Sequence, residues 1–275
     1  MALLLAVHAH PDDETLSTGA LLATWAQTGD VEVVTCTRGE RGEVIGAELA
    51  HLEGDGPALA VHREDELAAA LAALGVRRHA FLDTLGGAAE QGTRFEDSGM
   101  AWLGGGIAGA AAEIPAAAFV RTDADDAAAR LASHLADRAP AVVVTYGPDG
   151  GYGHPDHVRA HEVTMRAVAR LTETARPVPA VLWAVAPHRR AEVLAGGGPR
   201  VEVQVAPVAD EVAAAMRAHA TQVQHVVVGA EGIAFSLSND VPLGTGPTEV
   251  LEPAPGPLVP VAWPAGVAAP GWPVP

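Results

Sequence analysis

The sequence predicts an α/β fold: a doubly wound, mostly parallel sheet with a smaller C-terminal α+β portion. Three observations carry this. Unbroken runs such as Leu3-Leu4-Leu5-Ala6-Val7 and Ala141-Val142-Val143-Val144-Thr145-Tyr146 read as strands buried on both faces. Stretches of helical spacing lie between such runs, and right-handed crossovers then make the strands parallel. Two of the strands also lead to His-Pro-Asp stretches, and loops at the carboxyl ends of neighbouring parallel strands meet in one crevice.

A first strand over 2–8 leads to His10-Pro11-Asp12-Asp13. Leu16, Ala20, Leu21, Ala23 and Trp25 then recur at helical spacing, so a helix is expected over 16–28. Asp13, Thr15 or Ser17 could cap it and Gly29 stops it. A second strand over 31–37 precedes the charged loop 38–43, where alternate glycines allow a close backbone approach. Residues 62–74 read as a helix with Leu67, Ala70, Leu71 and Leu74 on one face. Arg63, Glu64, Asp65 and Glu66 fall in its first turn, where acids suit the helix dipole.

Gly75 ends that helix, and a third strand is expected over 76–82. Residues 83–118 are loop-rich, turn-like over 83–92 and of low complexity over 104–118. A loop of that length in a compact domain is usually functional or mobile. A helix over 123–139, a fourth strand over 141–146 and a helix over 158–171 complete a Rossmann-like order. The alternation then weakens: strands over 180–186 and 200–206, a helix over 208–223, and a short strand or loop over 235–243. The division is a catalytic portion 1–175, a smaller portion 176–250 packing on it, and a Pro-rich tail 251–275 without regular structure.

The 275 residues are 49% hydrophobic but only 4% aromatic, so Ala, Val and Leu must build a sizeable core. The formal net charge is −17 and there is no lysine. Such a surface repels nucleic acid and anionic membranes, whose binding depends on clustered cations. Polyanionic partners are excluded, and the substrate should be neutral, cationic or small. The lone Cys36 reads as a small buried hydrophobe and fits a reducing cytoplasm. No run approaches the roughly 18 apolar residues of a membrane span.

The two His-Pro-Asp stretches carry the chemistry. His10 and Asp13, three apart at a strand end, can turn toward one point, and His157 from the second stretch completes a two-His, one-carboxylate set. Three protein ligands with open positions is the pattern of a catalytic metal rather than a closed structural one. Asp12 is then free to take a proton from a metal-activated water. His154 could protonate a leaving amine or stabilise the oxyanion, with Asp156 on its second nitrogen favouring the charged form. Tyr152 is placed to donate to the polarised carbonyl. The remaining histidines, His219 among them, read as ordinary surface or core residues.

Ala6-Val7-His8-Ala9-His10-Pro11-Asp12-Asp13-Glu14, with Gly150-Gly151-Tyr152-Gly153-His154-Pro155-Asp156-His157, resembles the PIG-L/LmbE-like family of metal-dependent N-deacetylases. Smaller colinear blocks are similar to its mycothiol-pathway branch, which acts on N-acetylglucosaminyl-inositol: 34–37, 39–44, Asp97-Ser98-Gly99-Met100, 218–223 and 236–239. The resemblance implies one zinc per subunit, or ferrous iron in the cell, on His10, Asp13 and His157. It implies Asp12 as base, and His154, Asp156 and Tyr152 in the roles above. It also places Arg63, Asp97 and Met100 at the sugar-inositol substrate, although by position alone Arg63 is a helix-start residue and Asp97 a turn residue. The Ala/Gly-rich segment 104–118 and the Pro-rich tail depart from the family pattern.

Three rivals stand beside a zinc-dependent sugar N-deacetylase. An amidase cleaving mycothiol S-conjugates shares both motifs. A ferrous oxygenase uses the same triad of ligand types, but the parallel α/β order argues against it. A non-catalytic metal-binding protein would need neither base nor acid.

Overall fold

The computed structural model describes residues 2–91, 94–104 and 107–274. The chain runs β1 (Leu3–His8), α1 (Asp13–Ala26), β2 (Asp30–Thr35), α2 (Gly56–Ala73) and β3 (Arg78–Phe81). A hairpin of β4 (Met100–Gly104) and β5 (Ile107–Ala110) precedes α3 (Ala124–Arg138) and β6 (Val142–Tyr146). The single turn α4 (Gly150–Gly153), α5 (Pro155–Glu173), β7 (Ala180–Ala184), the short α6 (Arg190–Ala195) and β8 (Val201–Gln204) follow. Then come α7 (Ala209–Ala218), β9 (Gln224–Gly229), β10 (Gly232–Ser236), β11 (Pro242–Gly244), β12 (Thr248–Pro253) and β13 (Val267–Ala268).

All six residues of β1 are buried, as befits an interior strand covered on both faces. β1 pairs in parallel with β2 on one side and β6 on the other, within the order β13-β8-β12-β7-β6-β1-β2-β3. From β7 to β3 every pairing is parallel; β12, β8 and β13 extend the sheet antiparallel. The chain moves outward from β1 to β3 and returns to lay β6 against β1, so the strand order reverses between β1 and β6. That gap is the crevice where ligands bind in open α/β sheets. The mostly parallel α/β fold is the one expected from sequence.

Alternate residues of β1 serve two cores. Leu4 and Ala6 join one with Leu21, Leu67, Ala213 and Met216 from α1, α2 and α7. Leu5 and Val7 join the other with Leu131 and Leu135 of α3 and Val163 of α5. β7, β8, β12 and β13, all beyond residue 176, belong to the same sheet as β1, whereas β9, β10 and β11 form a separate antiparallel one. Among the described residues no helix is long and apolar enough to cross a membrane.

Several boundaries differ from expectation for local reasons. α1 begins at Asp13 rather than 16, and no side chain caps it. α2 begins at Gly56, six residues early, because the Asp55 carboxylate accepts from Ala58 N and Pro57 favours a first turn. Arg63 and Glu66 therefore stand in mid-helix, not at its start. The second His-Pro-Asp stretch is the first turn of α5, with His154 as its cap. α7 stops at Ala218 rather than 223, where His219 and Thr221 turn to other partners. Residues 83–118 hold a 3-10 segment (Leu82–Gln91) and the β4–β5 hairpin rather than plain loop. Residues 92 and 105–106 of the expected turn and low-complexity stretch lie outside the described residues. β12 lies partly in the stretch read as tail, and it pairs with β7 and β8.

Leu131 of α3 is fully buried, so Leu131→Ala should cost about 2–5 kcal/mol. The exposed Val61→Ala should stay within about 0.5 kcal/mol. Urea midpoints at unchanged slope check both.

Candidate metal centre

β1 and β6 are in register from Leu4 opposite Val142 to Ala6 opposite Val144, so the segments after His8 and after Tyr146 leave the sheet side by side. The first turns sharply at Asp12, whose φ of 111° is a conformation L-residues rarely adopt. The second folds over Gly150, φ 66°, where a Cβ would stand 2.8 Å from the His157 Cβ and 2.9 Å from Val158 N. Glycine there lets the loop close onto the first turn of α5.

This brings His10, Asp13 and His157 together, all buried. Asp13 spans the two imidazoles: Oδ2 is 3.2 Å from His10 Nδ1 and Oδ1 is 3.2 Å from His157 Nε2. The outer nitrogens are already engaged. His157 Nδ1 donates to the Gly150 carbonyl at 3.1 Å, and His10 Nε2 donates to Asp156 Oδ2 at 3.2 Å. Were both rings neutral, the inner nitrogens would turn lone pairs toward the carboxylate, and His157 Nε2 makes no well-formed hydrogen bond. The cluster is balanced either by a proton on an imidazole, the direction in which His10 is raised, or by a bound cation.

Two ligands of one tetrahedral ion lie about 3.4 Å apart when each bond is about 2.1 Å. A ligating histidine commonly donates its other N–H to a carboxylate or carbonyl. The two Asp13–imidazole distances and the outer-nitrogen partners fit a divalent metal. The groupings among the described residues whose donor atoms all lie within 4.8 Å of one another are His10, His154 and His157, and His10, Asp97, His154 and Asp156; both include His154 and neither includes Asp13.

Burial alone would raise the Asp13 carboxyl, but His157 and His10 hold it well below its usual range. Burial would lower the His10 imidazole, and Asp97, Asp13 and Asp156 reverse that. Asp12 behaves differently from its neighbour. Burial pushes it up to about 7, against the pull of Arg63 and with the repulsion of Asp13.

Arg63, expected at the substrate, is buried. It lies 3.3 Å from Asp12 Oδ2 and donates to the carbonyls of Gly39 (2.6 Å) and Pro11. Gly39, φ 65°, leaves room for the guanidinium: a Cβ there would come within 2.0 Å of it.

Asp156 also departs from expectation. Its carboxylate does not hold the second nitrogen of His154; Oδ2 accepts from Ser98 N (2.8 Å), Ser98 Oγ (3.0 Å) and His10 Nε2. His154 meets Asp156 through the backbone instead, Nδ1 accepting from Asp156 N at 3.2 Å. That bond puts the His154 proton on Nε2. Burial, with His10 and His157 beside it, lowers His154 to about 2, so the ring is neutral rather than charged as expected.

Tyr152 presents its ring edge-on to His157 at 5.0 Å and is 38% exposed. Asp97 Oδ1 is 3.5 Å from His10 Nε2, and its Oδ2 accepts from Arg41 N. Arg41 in turn lines a cavity of about 520 Å³ with Glu40, Glu53, Arg94 and Glu96. Met100 opens β4, half-buried, two residues beyond Ser98.

Sequence reasoning missed Tyr146, whose ring stacks on His157 at 4.2 Å and whose hydroxyl accepts from Ala9 N. It also missed Glu14 and His219, a fully buried pair 2.8 Å apart. The resemblance of residues 218–223 to the family was the available signal for His219.

A family model described as GlcNAc-PI de-N-acetylase (PIG-L) matches residues 5–168. The 1D-myo-inositol 2-acetamido-2-deoxy-alpha-D-glucopyranoside deacetylase of Kineococcus radiotolerans is 43% identical over 282 residues, covering 90% of this chain and 75% of the relative. A protein of the same name from Streptomyces avermitilis is 40% identical over 285 residues, covering 90% of each. Among solved structures, N,N'-diacetylchitobiose deacetylase from Pyrococcus horikoshii aligns with a TM-score of 0.54 at 19% identity, over 79% of this chain and 69% of that one. That last likeness is one of fold.

Elemental analysis of purified variants tests the donor set. His157→Ala should lose the bound divalent metal, and Gly150→Ala should lose most of it by displacing His157. His154→Ala should keep it. Full metal content in His157→Ala would remove that ligand.

Proposed function

The chain belongs to the PIG-L family of de-N-acetylases, and on that premise we propose that it hydrolyses the N-acetyl group of N-acetylglucosaminyl-inositol, giving free amine and acetate. The observation that carries the reading is the buried pair of imidazoles turned on Asp13, with a separate carboxylate, Asp12, beside them. The relatives at 40–43% identity that bear the inositol-sugar deacetylase name support the substrate. A cavity of about 520 Å³ falls in the usual range for a small-molecule site. The single buried Cys36 is consistent with a cytoplasmic place of action.

His10, Asp13 and His157 would hold the metal, zinc or ferrous iron. When bound, it would supply a Lewis acid for the amide carbonyl and lower the pKa of a bound water to about 7. Asp12 takes the proton of the attacking water, and its raised pKa suits a base working near neutrality. His154, neutral and protonated on Nε2, donates a hydrogen bond to the developing oxyanion, the alternative to acting as a cationic acid. Tyr152, at the partly exposed rim, donates to the same carbonyl. Asp156 and Ser98 fix the His10 ring. Arg63 holds Asp12 rather than the sugar, and Asp97 and Met100 face the substrate side.

Asp12→Asn should retain metal and lose about 10²–10⁴ of kcat; a variant keeping most of its rate would overturn the base. Asp12 works only as the carboxylate and its pKa is raised, so kcat/KM should fall as pH drops through a midpoint at or below about 7, a bound cation pulling that midpoint down. Rates of amine release from N-acetylglucosaminyl-inositol should exceed those from a mycothiol S-conjugate; the reverse order would favour the amidase.

A further inference from the structure

Asp12 adopts an unfavourable backbone conformation, and something must hold it there. Its carbonyl accepts from Thr15 N and Leu16 N as α1 begins. Its N–H is the harder group to satisfy, being turned away from the helix. Glu14 Oε2 accepts it at 3.0 Å. The other oxygen, Oε1, accepts from His219 Nε2 at 2.8 Å, and neither Glu14 nor His219 is exposed to solvent.

His219 is itself seated from α2. The next turn of chain is bound there by Glu66, which accepts from Thr221 N (2.8 Å) and Thr221 Oγ (2.7 Å). Glu66 lies three residues beyond Arg63, the residue that holds the Asp12 carboxylate. The contacts close a ring: Arg63 to Asp12, Asp12 to Glu14, Glu14 to His219, the 219–221 turn to Glu66, and back along α2 to Arg63. A segment some two hundred residues away in sequence thereby sets both the backbone and the carboxylate of Asp12.

We infer that His219 is a positioning residue for the reaction, acting through Glu14 to fix the conformation of Asp12. This rests on Asp12 being the base. A buried pair that merely stabilised the fold would leave turnover of the folded enzyme intact. A pair that holds Asp12 sets where its carboxylate stands, and displacements of about 1 Å in such groups cost on the order of 10²-fold in rate.

The test is a double-mutant cycle on metal-loaded protein, reading kcat, KM and metal content for N-acetylglucosaminyl-inositol. H219A should lower kcat by about 10- to 100-fold, as loss of an orienting partner does, with metal content unchanged and KM within about threefold. H219Q, whose amide can donate to Glu14, should recover part of the loss. Residues acting as one unit are non-additive, so H219A should cost little further in a D12N background. The exposed His225→Ala is the control and should match wild type. If H219A does not fold, H219F keeps the ring volume without an N–H and takes its place. A kcat within twofold of wild type, or a loss that persists undiminished in D12N, overturns the inference. High turnover in D12N itself signals failure of the base assignment instead, so the two failures are distinguishable.

Discussion

Burying carboxylates is costly unless each is paired or hydrogen-bonded, and this crevice gathers Asp12, Asp13, Glu14, Asp97 and Asp156 in a chain already at −17. Every one is met by a donor or cation. Asp13 faces two imidazoles, Asp12 faces Arg63, Glu14 faces His219, Asp97 takes Gly99 N and Arg41 N, and Asp156 takes Ser98 and His10. At Asp13 the balance comes from the two imidazoles and from the His10 backbone N–H. The site is thus organised by charge compensation.

Compensation also separates adjacent residues by role. Asp12 and Asp13 are neighbours of identical chemistry, yet one is raised to about 7 and the other held well below its usual range. The difference arises from what each faces: burial opposed mainly by one guanidinium for Asp12, two imidazoles at 3.2 Å for Asp13. Two carboxyls shifted in opposite directions follow from the same Asp-Asp pair. The two His-Pro-Asp stretches are likewise unequal. In the first, His10 and Asp13 face one another and Asp12 faces Arg63; in the second, only His157 faces Asp13, and His154 accepts from Asp156 N.

Much of this was legible without coordinates. Strand β1 announces itself as an unbroken apolar run, and α3 is marked by Asp123 before it and Leu131 and Leu135 within it. The start of α2 was misjudged because Gly56 and Pro57 are loop-forming by composition, yet Pro suits a first helical turn and Leu59 and Ala60 are already buried. β12 escaped notice because a strand completing a sheet between two others needs no strong pattern of its own.

The sequence alone determined the sheet, the motifs and the kinds of atoms they offer, because apolar spacing and ligand types within four residues are short-range properties. It pointed to His10, Asp13 and His157, which the structure brings together, and to Asp12 beside them. Only the tertiary structure decided that Asp156 serves His10 rather than His154, that Arg63 is turned inward onto Asp12, and that His219 reaches Glu14. Those are choices among partners distant in the chain. They are made by which helix packs on which face of the sheet, and a buried donor takes whichever acceptor that packing brings within reach.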